Sequence, residues 1–279
     1  MKTAIKGLLQ LLLVNDISWK LVSPFVYVAR RLKQARSNYV EKKSENFALC
    51  KNIFSKKEVL NGMFKGLVYA DITATGSRTY AKLLGSYEME IIPALEKLIT
   101  VPYDNLINIG CDEGYYAVGL ARLMPGLNVI AFDYNKIARD KCTSLALLNG
   151  VQDRITVKGC FSITGLEDPE KQGRCLFIID CEGCENEIID AGLVKEFATA
   201  DFIIELHYQE HPQILLKMQE LFAATHNITL IRALSDHERV MNYKFPELEN
   251  LTYDQKEYIV TERNNFMHWL VAEPIKRPN

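Results

Sequence analysis

The sequence predicts an α/β fold, with a parallel β-sheet that carries helices on both faces. From residue 104 onward, short apolar runs of strand length alternate with helical patterns, which is typical of strand–helix–strand units. The apolar run at residues 106–109 leads through Gly110 and Gly114 into a helix of small and apolar residues. A strand, a glycine turn and a helix N-terminus in this order form a cradle for nucleotide-type ligands in open sheets.

Length and composition set the first limits. The chain has 279 residues, enough for one large domain or for one domain with an extension. Its 33 basic and 35 acidic residues give a net charge of −2, so the charge favours no polyanionic partner and we expect no nucleic acid. The seven cysteines are an odd number and are scattered along the chain, which favours reduced thiols and a cytoplasmic location over a disulfide framework.

Residues 1–100 precede the cradle and are expected to form an N-terminal helical extension or cap. Residues 1–40 combine a short apolar run with aromatic and basic residues, and the run is far below the ~18 apolar residues of a membrane span. This part is expected to cover the core or the active site, or else to touch a membrane surface or a partner chain. Residues 41–66 indicate one or two helices. The apolar stripe over residues 80–98 indicates a helix that Pro93 kinks or breaks.

Residues 101–279 are expected to form the α/β domain. The segment 234–262 is polar and weakly periodic, so we expect a loop with short helices inserted before the last strand. The predicted strands lie near 106–109, 129–133, 154–158, 175–180, 202–206, 228–232 and 268–272. The predicted helices lie near 115–124, 135–148, 184–195 and 212–225.

The glycine turn indicates which ligand the cradle holds. A dinucleotide fingerprint needs glycines at the positions of Asp112 and Tyr115, and the Asp112 carboxylate would repel a pyrophosphate. S-adenosylmethionine has no phosphate and carries an ammonium and a sulfonium, so an acidic turn suits it. Asp133 ends the second strand 23 residues after Gly110, near the spacing at which an acidic residue binds ribose hydroxyls. The turn therefore favours S-adenosylmethionine over NAD or FAD, and the alternative is a glycine turn of some other α/β fold.

Carboxylates follow two later strands at the same predicted sheet edge. One strand ends in Asp180, with Glu182 and Glu185 directly after it, and the next ends in Glu205 and His207. Such groups can deprotonate a substrate hydroxyl, or Asp180, Glu205 and His207 can bind a divalent cation such as magnesium. The alternatives are helix capping for Glu185 and a hydrogen bond to the loop for His207.

Four stretches of the sequence carry a family resemblance. They are INIGCDEGYYA, VIAFDYN, IIDCEGCE and FIIELH, and the D-x-E-G-x-E motif in the third is the most specific. Together they resemble the FkbM-like family of class I S-adenosylmethionine-dependent methyltransferases, over residues 80–272. The resemblance implies a seven-stranded Rossmann-like methyltransferase sheet whose last strand is antiparallel. It also implies methyl transfer, most often to a hydroxyl oxygen of a small molecule or glycan.

The resemblance further implies roles for single residues. The glycine turn would bind the methionine part of the donor, Asp133 the ribose, Cys160 and Phe161 the adenine, and Asp180 would lie under the transferring methyl group. Asn108 stands where the family commonly has Asp. The implied cofactor-binding residues are Asn108, Gly110, Cys111, Asp112, Gly114, Asp133, Tyr134, Cys160, Phe161 and Asp180. The candidate catalytic residues, in falling order, are Asp180, Glu182 and His207.

Other patterns compete with this interpretation. Cys181 and Cys184 form a C-x-x-C pair typical of redox or zinc sites, but no second pair accompanies them. His207 and His211 match the H-x-x-E-H string of zinc enzymes, but Pro212 disfavours the helix that such a site needs. Methylation of nucleic acid would need a basic face, which a near-neutral chain does not favour. A methyltransferase-like domain that has lost its chemistry and binds a partner stays open.

Overall fold

The computed structural model describes residues 44–71, 79–262 and 267–276, together with scattered helical positions between residues 20 and 36. Most of residues 1–40, and with them the expected membrane or partner contact, lie outside the described residues. The chain divides into two compact units, Met1–Asn52 and Ile53–Asn279, and the predicted domain boundary near residue 100 stays a prediction. Within the described chain, no helix is both long enough and apolar enough to cross a membrane.

A seven-stranded sheet forms the framework of the second unit. Its strands lie in the order β3-β2-β1-β4-β5-β7-β6. Strands β1 to β5 pair in parallel, and β7 runs antiparallel to both β5 and β6. The predicted fold, with seven strands and the last one antiparallel, is confirmed. The strand bounds are β1 Asn105–Ile109, β2 Asn128–Phe132, β3 Ile155–Lys158, β4 Cys175–Ile179, β5 Asp201–Leu206, β6 His226–Arg232 and β7 His268–Pro274.

The core of this unit lies on the central strands. Strands β1, β4 and β5 are buried along their whole length, as expected for a parallel sheet that is covered on both faces. Phe177 on β4 stacks on Phe202 on β5 with ring centroids 4.6 Å apart, and Phe222 packs edge-on against Phe202. Because these strands are parallel, their carboxyl ends meet at one edge of the sheet.

Helices connect the strands. The segment 234–262 contains two of them, each begun by a capping box. The α-helices from residue 44 onward are α1 Glu45–Ile53, α2 Thr79–Leu84, α3 Ile92–Leu98, α4 Tyr115–Leu123, α5 Lys136–Leu148, α6 Asp168–Lys171, α7 Glu185–Ile188, α8 Ala191–Glu196, α9 Ile214–Phe222, α10 Asp236–Asn242 and α11 Tyr253–Val260.

One of the helix predictions before the cradle needs correction. The described part of residues 41–66 contains one α-helix, α1, in agreement with the one or two helices predicted there. The apolar stripe over residues 80–98 breaks before Pro93, because Gly85 and Glu88 have φ angles of 85° and 50° in the left-handed region. Pro93 lies in the first turn of α3 instead, where its missing N–H has no helical partner to lose.

The predicted helix at 184–195 is in fact two helices, α7 and α8. The Asp190 carboxylate accepts a hydrogen bond from the N–H of Leu193 at 2.8 Å and so begins a new helix. The sequence pattern alone did not separate this N-cap from a polar position inside a helix.

Candidate active site

A pocket of about 670 Å³ lies at the carboxyl ends of β1, β2 and β4. The glycine turn after β1 forms part of its wall, together with the turns after β2 and β3 and the loop after β4. Pockets of this size hold cofactor-sized ligands. Among the described residues that line it, Lys82 is the only basic one. The acidic lining residues are Asp112, Asp133, Asp180, Glu182 and Glu187.

The glycine turn crosses the end of β4 at very short range. Gly110 and Gly114 have φ angles of 78° and 96°, and Asp112 lies between them at 43°. A Cβ atom at position 110 would lie 1.6 Å from the carbonyl oxygen of Asp180, so no larger residue fits there. Asp tolerates the left-handed region better than most residues.

Three successive amides of this turn are bonded within the protein. The N–H groups of Gly110 and Cys111 both donate to the carbonyl oxygen of Phe132, at 2.8 and 2.9 Å. The N–H group of Asp112 donates to Oδ2 of Asp133 at 3.0 Å. The turn therefore does not present these amides to a ligand.

Asp133 holds two turns together at the pocket wall. While Oδ2 accepts from Asp112, Oδ1 accepts from the N–H of Asn135 at 2.8 Å. The side chain is half-buried. The carboxylate is thus fixed at the end of β2, where the spacing from Gly110 predicted a ribose-binding group.

Three more of the predicted cofactor-binding residues lie on the pocket wall: Tyr134, and the two expected by the adenine, Cys160 and Phe161. Tyr134 is 80% exposed, and Cys160 is exposed as well. Phe161 packs edge-on against Phe132 with ring centroids 5.2 Å apart. All three predicted residues line the pocket.

Lys82 is a pocket residue that the sequence did not reveal. Its side chain is buried, and Nζ lies 2.6 Å from Oε1 of Glu113 and 3.9 Å from Oδ2 of Asp112. Nζ also lies 4.8 Å from the centre of the Tyr87 ring. Burial raises the pKa of Glu113 to about 7, although the Lys82 ammonium acts in the opposite direction. The sequence pattern predicts that a lysine beside an apolar stripe is exposed, but all six residues of α2 are buried.

A cluster of carboxylates surrounds His207 at the end of β5. Nδ1 lies 2.9 Å from Oε1 of Glu185, and Nε2 lies 3.4 Å from Oε2 of Glu182. Nε2 also lies 3.7 Å from Oδ1 of Asp180 and 3.7 Å from Oε2 of Glu205. Burial alone would lower the pKa of the imidazole, but Glu182, Glu185 and Asp180 outweigh it and raise the pKa to about 10. The sequence prediction that these five residues share one sheet edge is matched by the geometry.

Glu88 joins this cluster from the loop before α3. One of its carboxylate oxygens lies within 4.8 Å of oxygens of Asp180 and Glu205. The hydroxyl of Tyr116 donates a hydrogen bond to Glu88. Glu88 precedes the sheet by more than a dozen residues, and no spacing in the sequence connects it with Asp180.

Some predicted residues do not reach the pocket wall. Asn108 is buried in β1, and its amide donates to the carbonyl oxygen of Ile178 on β4 at 3.2 Å. Gly114 caps α4 and lies behind the wall, where a Cβ atom would approach Sγ of Cys142 to 2.8 Å. His207 does not line the pocket either and contacts Asp180 and Glu182, which do.

Cys181 and Cys184 are joined by a disulfide next to Asp180. The expectation of reduced thiols is therefore wrong for this pair, because the turn between the two residues brings their Cα atoms to 5.5 Å. The other five cysteines are not in a disulfide. In this state neither bonded sulfur is a thiolate ligand, so the pair is no zinc half-site.

The H-x-x-E-H string does not form a zinc-protease site. Residues 207–213 are irregular, and α9 begins at Ile214. His207 and His211 therefore do not share one helical face. Pro212 indicated this outcome from the sequence.

Comparisons with known proteins give likeness of fold only. No protein-family model matches the chain, and no curated protein does. Among solved structures, the chain is similar to an O-methyltransferase from Bacillus cereus in complex with S-adenosyl-L-homocysteine, with 14% identity, a TM-score of 0.45, and 67% of this chain and 81% of that chain covered. It is also similar to a SAM-dependent methyltransferase from Geobacter sulfurreducens in complex with S-adenosyl-L-homocysteine, with 11% identity, a TM-score of 0.42, and 68% and 91% covered. A precorrin-6y C5,15-methyltransferase from Geobacter metallireducens GS-15 gives 14% identity, a TM-score of 0.43, and 64% and 84% covered.

Proposed function

We propose that this protein transfers a methyl group from S-adenosylmethionine to a hydroxyl oxygen of a small molecule or glycan, as an FkbM-like methyltransferase. One observation carries the choice of donor. The amides of Gly110, Cys111 and Asp112 are all bonded within the protein, in the turn where a dinucleotide site would offer amides to a pyrophosphate. S-adenosylmethionine has no phosphate and does not need them.

The charges of the pocket agree with this donor. Five carboxylates line it, and the one lysine on its described wall is already paired with Glu113. The ammonium and sulfonium of S-adenosylmethionine are positive, so such a wall attracts them. The same wall disfavours nucleic acid and other polyanionic acceptors. A neutral acceptor with several hydroxyl groups fits it better, because carboxylates accept hydrogen bonds from hydroxyls.

The residues present fit the parts of the donor. The Asp133 carboxylate can accept hydrogen bonds from ribose hydroxyls, and the side chains of Tyr134, Cys160 and Phe161 can contact the adenine, since all four residues line the pocket. When bound, the donor supplies an electrophilic methyl group on its sulfonium. Asp180 lies on the pocket wall, where its carboxylate can take the proton from an acceptor hydroxyl, with Glu182 beside it. Holding the acceptor in line supplies the rest of the acceleration.

Calorimetric titration tests the donor. We expect wild-type protein to bind S-adenosylmethionine and S-adenosylhomocysteine in the micromolar range and to give no signal with NAD. Asp133→Ala should weaken both affinities by about 10- to 100-fold, the worth of hydrogen bonds to a charged group. Asp140→Ala is the matched control, because Asp140 is exposed and pairs with Lys136 outside the pocket.

The Asp133→Asn variant distinguishes the role of Asp133 in donor binding from its role in holding the two turns together. The amide oxygen of Asn still accepts a hydrogen bond from one backbone N–H, but the negative charge is lost. Circular dichroism would show whether each variant is folded. Binding of NAD without binding of S-adenosylmethionine would overturn the proposal. Equal affinities in wild type and the Asp133→Ala variant would overturn the role of this carboxylate.

A further inference from the structure

The imidazole of His207 is buried among carboxylates. Its side chain is 6% exposed, and Nδ1 faces Oε1 of Glu185 at 2.9 Å, but neither ring nitrogen has a hydrogen-bond partner of normal geometry. Nε2 is 3.4 Å from Glu182 and 3.7 Å from Asp180, beyond the usual 2.7–3.2 Å of an N–H···O bond. Two ligand atoms bound to the same metal ion lie at similar distances from each other, because metal–ligand bonds of about 2.1 Å meet at angles of about 90–110°.

Glu185 is a second buried group with an unused atom in the same place. Its side chain has no exposed surface, and Oε2 has no hydrogen-bond partner. Oε1 is held by the N–H of Cys181 at 3.0 Å, so the carboxylate is fixed against the loop after β4. One ligand atom from each of Asp180, Glu185 and His207 lies within 4.8 Å of the other two. The three groups therefore converge on one point.

Four carboxylates lie around the imidazole of His207. Asp180, Glu182, Glu185 and Glu205 all form ion pairs with it. Like charges that lie this close together repel one another. A divalent cation bound among them would reduce this repulsion.

We propose that Asp180, Glu185 and His207 bind one divalent transition-metal ion, with the exposed carboxylate of Glu182 as an additional ligand. Carboxylate ligands suit Mn²⁺ and an imidazole ligand suits Zn²⁺, so both should bind more tightly than Mg²⁺. The Cys181–Cys184 disulfide keeps thiolates out of the ligand set. The ion would lie at the end of the pocket where Asp180 and Glu182 form the wall, and there it can hold an oxygen atom of the acceptor. Only this last consequence rests on the proposed function.

Binding of Mn²⁺ to the 279-residue chain tests the site without any methyl donor or acceptor. Protein freed of metal with a chelator is titrated with MnCl₂, and the electron paramagnetic resonance signal of free Mn²⁺ is followed. We expect one ion per chain in the micromolar range. His207→Gln and Glu185→Gln should each weaken binding by about 10- to 100-fold. His211→Gln is the matched control, an imidazole four residues along the chain that gives no atom to the cluster.

Glu182→Gln keeps the test valid if the two buried variants do not fold, because the Glu182 side chain is 71% exposed. This variant should stay folded and bind Mn²⁺ several-fold more weakly. Stoichiometric binding that is lost in these variants and kept in His211→Gln supports the site. Failure of wild type to bind Mn²⁺ or Zn²⁺ at millimolar concentration would overturn it, as would equal binding by the Glu182→Gln variant and wild type. Because donor binding is measured separately, a failed metal site and a failed donor site give different results.

Discussion

Gly110→Ala should lower the free energy of unfolding by at least about 3 kcal/mol and abolish donor binding. The new methyl group would lie 1.6 Å from the carbonyl oxygen of Asp180 and 2.6 Å from its carbonyl carbon. Both are backbone atoms, so no side-chain rotation relieves the clash. The φ angle of 78° adds further strain for alanine. Relief requires the carboxyl ends of β1 and β4 to separate, and these ends form the pocket. Denaturant unfolding of the purified variant measures the loss.

Gly126→Ala is the control for this substitution. Gly126 lies in an exposed turn, and a Cβ atom there meets nothing within 4 Å. Its free energy of unfolding should stay within about 0.5 kcal/mol of wild type. If the Gly110→Ala and Gly126→Ala variants unfold at the same denaturant concentration, the glycine turn does not lie as close to the backbone of Asp180 as described.

Lys82→Met should lower the free energy of unfolding by about 3–5 kcal/mol at pH 8, the usual result of removing one partner of a buried ion pair. It would leave the buried carboxylate of Glu113 without the ammonium that now lies 2.6 Å away. Burial already raises the pKa of Glu113 above its ordinary value of 4.5, to about 7, and without Lys82 the pKa should rise further. A carboxyl group whose pKa is higher in the folded than in the unfolded protein makes the folded state more stable at low pH. This stability is lost as the pH rises through the folded-state pKa. The variant should therefore lose less stability at pH 5 than at pH 8.

The double variant Lys82→Met, Glu113→Gln tests the cause. Removing the charge from Glu113 should restore part of the stability and abolish the extra pH dependence. Lys136→Met is the surface control, since Lys136 and Asp140 form an exposed pair on α5 and such pairs contribute about 0–1 kcal/mol. A loss in Lys82→Met that is the same at pH 5 and pH 8 would contradict the assigned role of Glu113.

The strands could be predicted because each one is an apolar run between polar or glycine-rich turns. The predicted strand ends are correct to within about two residues. Methods that assign secondary structure from hydrogen bonds differ by about the same amount. The helices before the cradle were harder. The break falls at Gly85 and Glu88, which both have positive φ angles, and a pattern of apolar residues does not predict such backbone angles. The sequence pattern predicts the break at Pro93, but Pro93 lies at the beginning of a helix.

The candidate site was predictable where it follows from topology. Asp180, Glu205 and His207 were expected together because parallel strands end at one edge, and the structure brings them together. Asn108 shows the limit of this reasoning. It lies one residue from the end of β1, and the alternation of side chains along the strand puts it on the opposite face from Ile109, which lines the pocket. Its amide donates to the carbonyl oxygen of Ile178 on β4 instead. Lys82 came from a short helix outside the sheet, where the sequence gives no position relative to the glycine turn.

The bonded amides of the glycine turn also bear on the time course of binding. Because residues 110–112 use their N–H groups within the protein, the turn has its final shape before any ligand arrives. Binding then needs no ordering of this segment, and its entropy cost is already met in the free protein. The amide protons of these three residues should exchange slowly with solvent both with and without the donor. Association should occur in a single kinetic phase, with no slow rearrangement of the wall after the first encounter.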